Sequence, residues 1–449
     1  MIAKLSFGMS GRRRAASTLR RHAIALATAL LSVAASSSAP AYTFKVLHSF
    51  CGQNNCSDGA VPYSGVIADP AGNLFGTTIG GGHGGTAYEL VPNADRSMWT
   101  HKVLYDFCTA AGCPDGYAPG ALIRDTAGNL YGTTQLGGSH DNAGTVFKLS
   151  PNSDGSWTFA LLYTFCSQEN CADGGFSAGG LTYSGATSGN AYDGVSPLYV
   201  ATLVGGAGQN GAVIELDPPH GRNGWTEKVI YSLCSQGGST CPDGRGPGPV
   251  VLDDRGVFYG ATQSGGSTYD GVVYALTPNV DKTAWTQTTL HNFCSLKRCK
   301  DGDSPVGGLT LDMSGHVYGN SPDGGKRCSR GHFCGTIFRT ALKHATAKFN
   351  VIYTFCRSDC SDGQTPYGDM IIDPSGTIFG TTVSGGGNIY SYSLNGALQV
   401  LHNFCSLSAC ADGQFPYGQL FMDSAGNIFG TTSEGGEHGY GGTVYELTP

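Results

Sequence analysis

The chain has 449 residues, of which 40% are hydrophobic and only 13% are charged, and it contains 70 glycines and 16 cysteines. A chain this hydrophobic is not disordered, and so much glycine suits tight turns between short strands. The formal charge is −7, from 33 acidic and 26 basic residues. An acidic balance excludes general binding to nucleic acid, because phosphate contacts need clustered lysine and arginine.

The first 41 residues differ in kind from the rest. Ala39 and Ala41 fit an A-x-A cleavage site after the apolar run AIALATALLSVAA, and five arginines precede that run: Arg12, Arg13, Arg14, Arg20 and Arg21. The pattern predicts a secretory signal peptide over residues 1–41, since the apolar run is too short to span a membrane. The alternative is a buried N-terminal helix.

Cleavage at this site would remove six of the 26 basic residues, which leaves 20 against 33 acidic residues and a formal charge of −13. We therefore expect a secreted, periplasmic or extracellular protein with no membrane span after cleavage.

From residue 42 onward the chain repeats one pattern seven times. Each unit opens with a cysteine loop, such as SFCGQNNCSDG from Ser49, and continues with four strands, a to d. In the second unit these are APGALIRD, NLYGTT, GTVFKLSP and WTFALLYTF. A turn such as DTAGN joins a to b, and a glycine-rich loop joins b to c. In the sixth unit Asn395-Gly396 predicts a two-residue type I′ hairpin between c and d.

Four antiparallel strands repeated seven times predict an all-β fold, a seven-bladed β-propeller. The stretch after residue 41 starts on a d-type strand, YTFKVLHSF, and the last unit ends on a c-type strand, GTVYELTP. We expect the first strand to complete the last blade, because this closure leaves no broken sheet edge. The single domain, 42–449, is predicted to have blades at 59–107, 116–165, 174–233, 244–293, 302–355, 363–404 and 413–449 plus 42–50.

The repeated motif D-x-x-G-N-[LI]-[FY]-G-T-T…G-G…G-T-V-[FY]-x-L-x-P resembles the GloVer tandem repeat of secreted bacterial proteins. The resemblance covers residues 42–449 and recurs in nearly every unit. It implies a secreted repeat protein, and it brings no catalytic residues.

All 16 cysteines fall into closely spaced pairs, which predict disulfides in an exported chain. Structural zinc would instead need four ligands at fixed geometry. Closing such short loops stabilises each by only about 2 kcal/mol, so we expect the bridges to rigidify loops that present ligand contacts. The predicted bridges are Cys51–Cys56, Cys108–Cys113, Cys166–Cys171, Cys234–Cys241, Cys294–Cys299, Cys328–Cys334, Cys356–Cys360 and Cys405–Cys410.

Every cysteine loop ends in Asp-Gly. One interpretation is a turn into strand a; the other is a ring of carboxylates that takes Ca²⁺ or a cationic ligand. Repetition in all seven units favours the turn, since a binding site usually breaks symmetry, and no other cofactor is expected. The aspartates are Asp58, Asp115, Asp173, Asp243, Asp301, Asp362 and Asp412.

Histidines separate into two sets. His83, His140 and His438 share one register of the b–c loop in units one, two and seven, which become neighbours when the ring closes. They predict an arc of ligand contacts, with a shared metal ion or ordinary polar loop residues as alternatives. The other set alternates with tyrosine at its register and is expected to be structural: His48, His291 and His402.

Aromatic and cationic side chains complete the candidates. The cysteine loops and b–c loops must share one face of the ring, and loop aromatics there are candidates for stacking on sugars: Tyr63, Tyr117, Phe176, Tyr367 and Tyr417. The four tryptophans belong to the opposite face, as edge-packing residues: Trp99, Trp157, Trp225 and Trp285. Unit five concentrates cations that would bind an anion such as an acidic glycan, or would merely be solvated: Lys297, Arg298, Lys300, Lys326, Arg327 and Arg330.

These patterns favour a monomeric, non-enzymatic binding or scaffold module that takes a glycan or protein ligand on the cysteine-loop face. The alternative is an extracellular carbohydrate-active enzyme, a glycosidase or lyase, with its site in the central mouth, since propellers host enzymes too. Such an enzyme needs an acid–base pair or two carboxylates there. The candidates are Asp270, Asp303, Asp369 and Glu437.

Overall fold

The computed structural model describes residues 42–219, 224–238, 240–325, 334–343, 346–356 and 359–449. The predicted signal peptide, 1–41, lies outside them. The described residues form seven four-stranded antiparallel sheets, which follow one another along the chain, and they belong to one compact unit. This arrangement confirms the seven-bladed β-propeller. Short 3₁₀ turns occur at Asn54–Cys56, Glu169–Cys171, Ala186–Ser188, Ser384–Gly386 and Ser408–Cys410.

Strands b, c and d carry most of each sheet, and strand a is short. Strands a to d of blade 1 are Ile67–Ala68, Leu74–Thr78, Thr86–Pro92 and Trp99–Asp106; of blade 5, Thr310–Leu311, Val317–Ser321, Thr336–Thr340 and Asn350–Thr354; of blade 6, Ile371–Ile372, Ile378–Thr382, Asn388–Tyr392 and Leu398–Asn403; of blade 7, Phe421–Met422, Ile428–Thr432, Thr443–Thr448 and Thr43–Ser49.

Blades 2 to 4 have strand a in two pieces. Their strands are Tyr117–Pro119 with Ile123–Arg124, Leu130–Leu136, Thr145–Pro151 and Trp157–Thr164; Gly175–Ser177 with Thr182–Tyr183, Leu198–Val204, Ala212–Asp217 and Thr226–Ser232; and Arg245–Pro247 with Val251–Leu252, Phe258–Ser264, Val272–Pro278 and Trp285–Asn292. A separate two-stranded hairpin, Leu342–Lys343 and Thr346–Ala347, extends the c–d connection of blade 5.

The N-terminal strand closes the ring as the sequence predicts. Thr43–Ser49 pairs antiparallel with Thr443–Thr448, and Phe44 lies opposite Leu447 in the register. Blade 7 therefore takes its outermost strand from the opposite end of the chain, and strand c of that blade is not left as an open edge.

The hydrophobic core is divided among the seven junctions between neighbouring blades. Each junction has its own cluster of buried side chains. At the closing junction, Phe50, Leu74 and Tyr88 pack against Phe429 and Val444, and all five are fully buried. The four tryptophans are half-buried at such junctions, in agreement with the edge-packing role predicted for them.

The repeated Gly-Thr-Thr of strand b has a packing reason. A Cβ placed on Gly76 would lie 2.4 Å from the Tyr88 hydroxyl oxygen, so the glycine makes room for the aromatic ring on strand c. Blade 3 departs from the motif at both positions together, with Val200 beside Ile214. The larger strand-b residue is thus matched by a smaller partner, as close packing requires.

In blades 1, 2, 6 and 7 the first threonine of the motif ties the blade to the next one. Thr77 Oγ1 donates to the carbonyl of Gly120 at 2.8 Å, and Thr431 Oγ1 donates to the carbonyl of Ser64 at 2.9 Å. The acceptors lie in the stretch that leads into strand a of the following blade, or into its second piece where strand a is in two pieces. These stretches surround the axis of the ring and are called here the axial segments: 62–65, 119–121, 177–180, 247–249, 305–308, 366–369 and 416–419.

The structure corrects two local predictions. Strand a is not continuous, because the axial segment interrupts it: in blade 2, Tyr117–Pro119 and Ile123–Arg124 both pair with strand b, while Ala121 and Leu122 between them do not. The Asn395-Gly396 turn is not type I′, because only Gly396 has a positive φ, +94°. The amide of Gly396 donates to the carbonyl of Ser393, so this is a longer loop closed by a glycine. No helix among the described residues has the length and apolar character needed to cross a membrane.

Candidate functional site

The seven predicted disulfides of the cysteine loops are all present. Cys334 is also disulfide-bonded, while its predicted partner Cys328 lies outside the described residues. All fourteen loop cysteines have φ between +46° and +64°, a conformation that costs a residue other than glycine about 1 kcal/mol or more. The surrounding loop must therefore hold the backbone in place.

The aspartate of each loop supplies that support. Asp301 accepts hydrogen bonds from Ser295 N–H at 3.0 Å, Ser295 Oγ at 2.7 Å and Leu296 N–H at 3.2 Å. Burial alone would raise the pKa of Asp301, but the bonds from His291, Ser295 and Leu296 outweigh it and lower that pKa. Equivalent bonds to loop amides occur at the other six aspartates. The carboxylates point back into their own loops, which favours the turn over the predicted alternative, a ring of Ca²⁺ ligands.

The alternating histidine and tyrosine register serves the same aspartates. His291 Nε2 lies 3.0 Å from Asp301 Oδ2, and Tyr163 Oη donates to Asp173 Oδ2 at 2.6 Å. Either side chain can hydrogen-bond to the carboxylate, which explains why both histidine and tyrosine occur at this position. His402 makes the same contact with Asp412 at 3.2 Å, and the structural role predicted for His291 and His402 follows from it. His48 is half-buried near Asp58, with 3.9 Å between Nε2 and Oδ2 and no hydrogen bond at Nε2.

The three b–c loop histidines have different neighbours. His83 Nδ1 is 2.7 Å from Asp106 Oδ2 on its own blade, His140 Nδ1 is 3.1 Å from Ser139 Oγ, and His438 packs against Gly52 of the next cysteine loop. Among the described residues, no group of three close metal-type ligands contains a histidine. A ligand-binding arc of three histidines stays a prediction.

The cationic candidates are described only in part. Lys297, Arg298 and Lys300 are exposed on the cysteine loop between blades 4 and 5. Lys326, Arg327 and Arg330 lie outside the described residues. The anion site in unit five therefore also stays a prediction.

A cavity of about 220 Å³ lies on the axis of the ring, where axial segments from six of the seven blades converge. The walls are close because neighbouring axial segments touch: a Cβ on Gly65 would lie 2.1 Å from the carbonyl oxygen of Gln419. Ile79, just after strand b of blade 1, and Gln135, near the end of strand b of blade 2, also line the cavity, which places its opening on the cysteine-loop face.

The cavity breaks the symmetry of the ring. At the first variable position of the axial segment, blades 6, 7 and 1 carry Tyr367, Tyr417 and Tyr63. Tyr63 and Tyr417 stack with ring centroids 4.7 Å apart and 20° between planes, and the Tyr367 ring meets Tyr417 edge-on at 5.1 Å. The other blades have small or aliphatic residues at this position: Gly120, Ala178, Gly248 and Val306. One side of the opening is thus an aromatic wall, and the opposite side carries only small or aliphatic side chains at this position.

Polar side chains lie deeper on the aromatic side. Asp369 and Gln419 occupy the last position of the axial segments of blades 6 and 7, where blades 1, 3 and 5 have glycine. Asp369 is half-buried and accepts a hydrogen bond from the amide of Gly308 in blade 5. Burial raises the pKa of Asp369, and the bond from Gly308 opposes that rise only in part.

Sequence reasoning found part of this site. Tyr63, Tyr367 and Tyr417 were expected on this face and do line the cavity, whereas Tyr117 and Phe176 do not. Of the four acids considered for an enzyme, Asp369 alone is in the lining. Asp270 and Asp303 are buried between blades 4 and 5, and Glu437 is exposed in a b–c loop. Gln419 was missed, although the comparison of axial segments across the seven units would have revealed it.

The fold and the axial site define a disulfide-bonded seven-bladed repeat propeller. The family model described as the Gloeobacter/Verrucomicrobia repeat matches residues 34–197 and 186–388. The chain therefore belongs to the Gloeobacter/Verrucomicrobia repeat family, and the resemblance seen in the sequence is confirmed. No curated protein matches the chain.

Solved structures similar to this chain share little sequence with it. A luciferin-regenerating enzyme is 14% identical, with 74% of this chain and 91% of that chain covered and a TM-score of 0.43. The polysaccharide lyase Uly1 is 10% identical, with coverages of 86% and 90% and a TM-score of 0.48. PorZ, a surface component of the type-IX secretion system of Porphyromonas gingivalis, is 13% identical, with coverages of 85% and 46% and a TM-score of 0.46.

Proposed function

We propose that the protein is a secreted binding module that holds a glycan or protein ligand at the axial cavity on its cysteine-loop face. The observation that carries the proposal is the confinement of Tyr63, Tyr367 and Tyr417 to three consecutive blades. A residue needed for the fold recurs around the ring, as the loop aspartates do. An aromatic wall on one side of the axis is not needed for the fold, so it points to a ligand.

The disulfides support the secreted location. Seven described bridges are typical of a protein that matures in an oxidising compartment. They also constrain the cysteine loops on this face, and a rigid loop loses less conformational entropy when it takes part in binding.

Binding assays on the mature chain test the proposal. Replacing Tyr63 and Tyr417 by alanine together should abolish retention of ligands from arrayed glycans and peptides, because the aromatic wall is lost. Tyr440→Ala is the matched control, since Tyr440 is an exposed tyrosine in a b–c loop on the same face. Equal loss of binding in the control, or none in the double variant, would place the ligand elsewhere.

A second candidate function rests on Asp369. A carboxyl whose pKa is raised by burial is suited to act as a general acid, so the same cavity would serve a glycosidase or lyase. In that case wild type releases shortened products from a bound polysaccharide, and Asp369→Asn binds the polysaccharide but releases none. Binding without product in wild type supports the binding module instead.

A further inference from the structure

The chemistry of the axial cavity identifies the class of ligand, on the basis that the proposed function is correct. Asp369 is the only charged side chain in the lining, and no lysine, arginine or histidine is among the described residues there. An anionic group in this cavity would lie near a carboxyl group with no cation to pair with, and this arrangement is unfavourable. The cavity therefore disfavours uronates, sulfates and phosphates.

The aromatic wall offers a fixed apolar surface. Tyr417 is held between Tyr63 and the edge of Tyr367, and Tyr63 is still 39% exposed. Its free face is available to the apolar C–H side of a ring that enters from the cysteine-loop face. Such stacking favours binding because neither ring loses much conformational freedom.

The polar groups at depth are suited to hydroxyls. The carboxyl oxygens of Asp369 accept hydrogen bonds, and the amide of Gln419 both donates and accepts. The backbone amide of Gly308 occupies part of the acceptor capacity of Asp369, and this contact fixes the orientation of the carboxyl. A ligand that presents O–H donors would use the remaining acceptor capacity.

A proline-rich peptide is the main competitor for an aromatic site of this kind. Such a peptide offers carbonyl acceptors, and its prolines have no N–H. It would add no donor for Asp369 beyond the amide of Gly308, and an acceptor left unsatisfied in a site closed to water is costly. The cavity is enclosed by the ring of blades, so a ligand can enter it only as a chain end or a single ring. An extended peptide would instead need a groove that is open at both ends.

We propose that the axial cavity binds the terminal ring of a neutral carbohydrate, with Tyr63 stacked on the ring and Asp369 and Gln419 bonded to its hydroxyls. The volume of about 220 Å³ suits one ring and not a longer segment. Recognition of a terminal ring also predicts that cyclic or internally capped polymers bind more weakly than linear ones.

The test uses the full mature chain and three sets of probes: neutral oligosaccharides of hexoses, pentoses and N-acetylhexosamines; oligouronates and sulfated oligosaccharides; and a decaproline peptide. We expect affinity for at least one neutral oligosaccharide, insensitive to added salt and reduced at least tenfold by Tyr63→Ala and by Asp369→Ala. Tyr440→Ala should bind like wild type. Thermal unfolding of each variant shows that the fold is intact, and Asp369→Asn is available should Asp369→Ala fail to fold.

The outcomes separate this inference from the proposed function. Binding of decaproline or of the acidic oligosaccharides that depends on Tyr63, with no neutral sugar bound, would overturn the inference and leave the axial binding site standing. Binding of any probe that is unaffected by Tyr63→Ala and Asp369→Ala would overturn both, as would a failure of all three sets to bind.

Discussion

Acid should weaken the ring at its closing junction, because two histidines stack there. His48 of the N-terminal strand lies on His101 of blade 1, with ring centroids 4.3 Å apart and 4° between planes. Both Nε2 atoms are buried without a hydrogen-bond partner. Equivalent positions at other junctions combine an imidazole or phenol with a phenyl ring, as in Tyr105–Phe159, His291–Phe349 and His402–Phe44.

Burial is the main cause that lowers the pKa of His48 from 6.5 to about 4; the neighbouring His101 and His438 add to it, and Asp58 opposes it. Burial likewise lowers the pKa of His101 to about 4, again against Asp58. Because the folded pKa lies below the unfolded value, the unfolded chain takes up more protons between pH 6.5 and 4. The stability that each neutral, buried histidine contributes is therefore complete above pH 6.5 and is lost as the pH falls toward 4. At about 1.4 kcal/mol per pKa unit, one such histidine accounts for about 3 kcal/mol.

His101→Phe tests this reasoning, since phenylalanine occupies the same position in blades 2, 5 and 7. At pH 7.5 the free energy of unfolding should change by less than about 1.5 kcal/mol, as for a volume-conserving swap. Between pH 7.5 and 4.5 the variant should lose about 2–3 kcal/mol less stability than wild type, measured by denaturant unfolding at both pH values. His140→Ala, which removes an exposed histidine, should behave like wild type. An equal loss of stability in His101→Phe and wild type would refute the assignment.

Four further outcomes follow from the fold. Deleting residues 42–50 removes the outer strand of blade 7 and buried Phe50, and should cost more than about 3 kcal/mol; a melting temperature within a degree or two of the mature chain would contradict ring closure. Gly76→Ala should cost about 1–3 kcal/mol from its clash with Tyr88, and adding Tyr88→Ile should recover part of that loss in thermal melts; no recovery would argue against the packing match. Thiol titration of the denatured, unreduced mature chain should find essentially no free cysteine; four or more reactive thiols would refute the bridges. Changing Lys297 and Arg298 to serine should reduce salt-sensitive retention on an acidic-glycan resin, without loss of thermal stability; a wild type that is not retained at low salt would exclude that anion site.

The repeat itself made most of the fold predictable. Seven pairs of loop cysteines, six copies of Asp-x-x-Gly and a recurring Gly-Thr-Thr fix the strand order, and the d-type start and c-type end predict the closure that Thr43–Ser49 makes. Local rules were enough here because each blade repeats the same short-range contacts. The type I′ prediction for Asn395-Gly396 was wrong because the preference of two residues for a turn type does not set the length of the loop. The register of the two flanking strands also constrains that length.

The axial cavity was harder to predict because the residues that line it have the apolar sequence pattern of a β-strand. Stretches such as PYSGVIAD and PYGDMIID read as one apolar strand with a turn, whereas close approach of neighbouring blades around the axis interrupts the strand. The sequence predicts turns at the loop aspartates. It does not predict their hydrogen-bond partners, such as Ser295 and His291 at Asp301, because these are brought together only in the folded loop. Only the exceptions to the repeat, such as Asp369 and Gln419 in place of glycine, indicate the site in the sequence.

Amide hydrogen exchange with and without a bound neutral oligosaccharide tests the central claim most directly. If the axial cavity is the binding site, the ligand should slow exchange in the axial segments 62–65, 366–369 and 416–419. Exchange should stay unchanged in the exposed stretch 297–300 and at the tips of the b–c loops. Protection confined to those loops, with the three axial segments unaffected, would contradict the account.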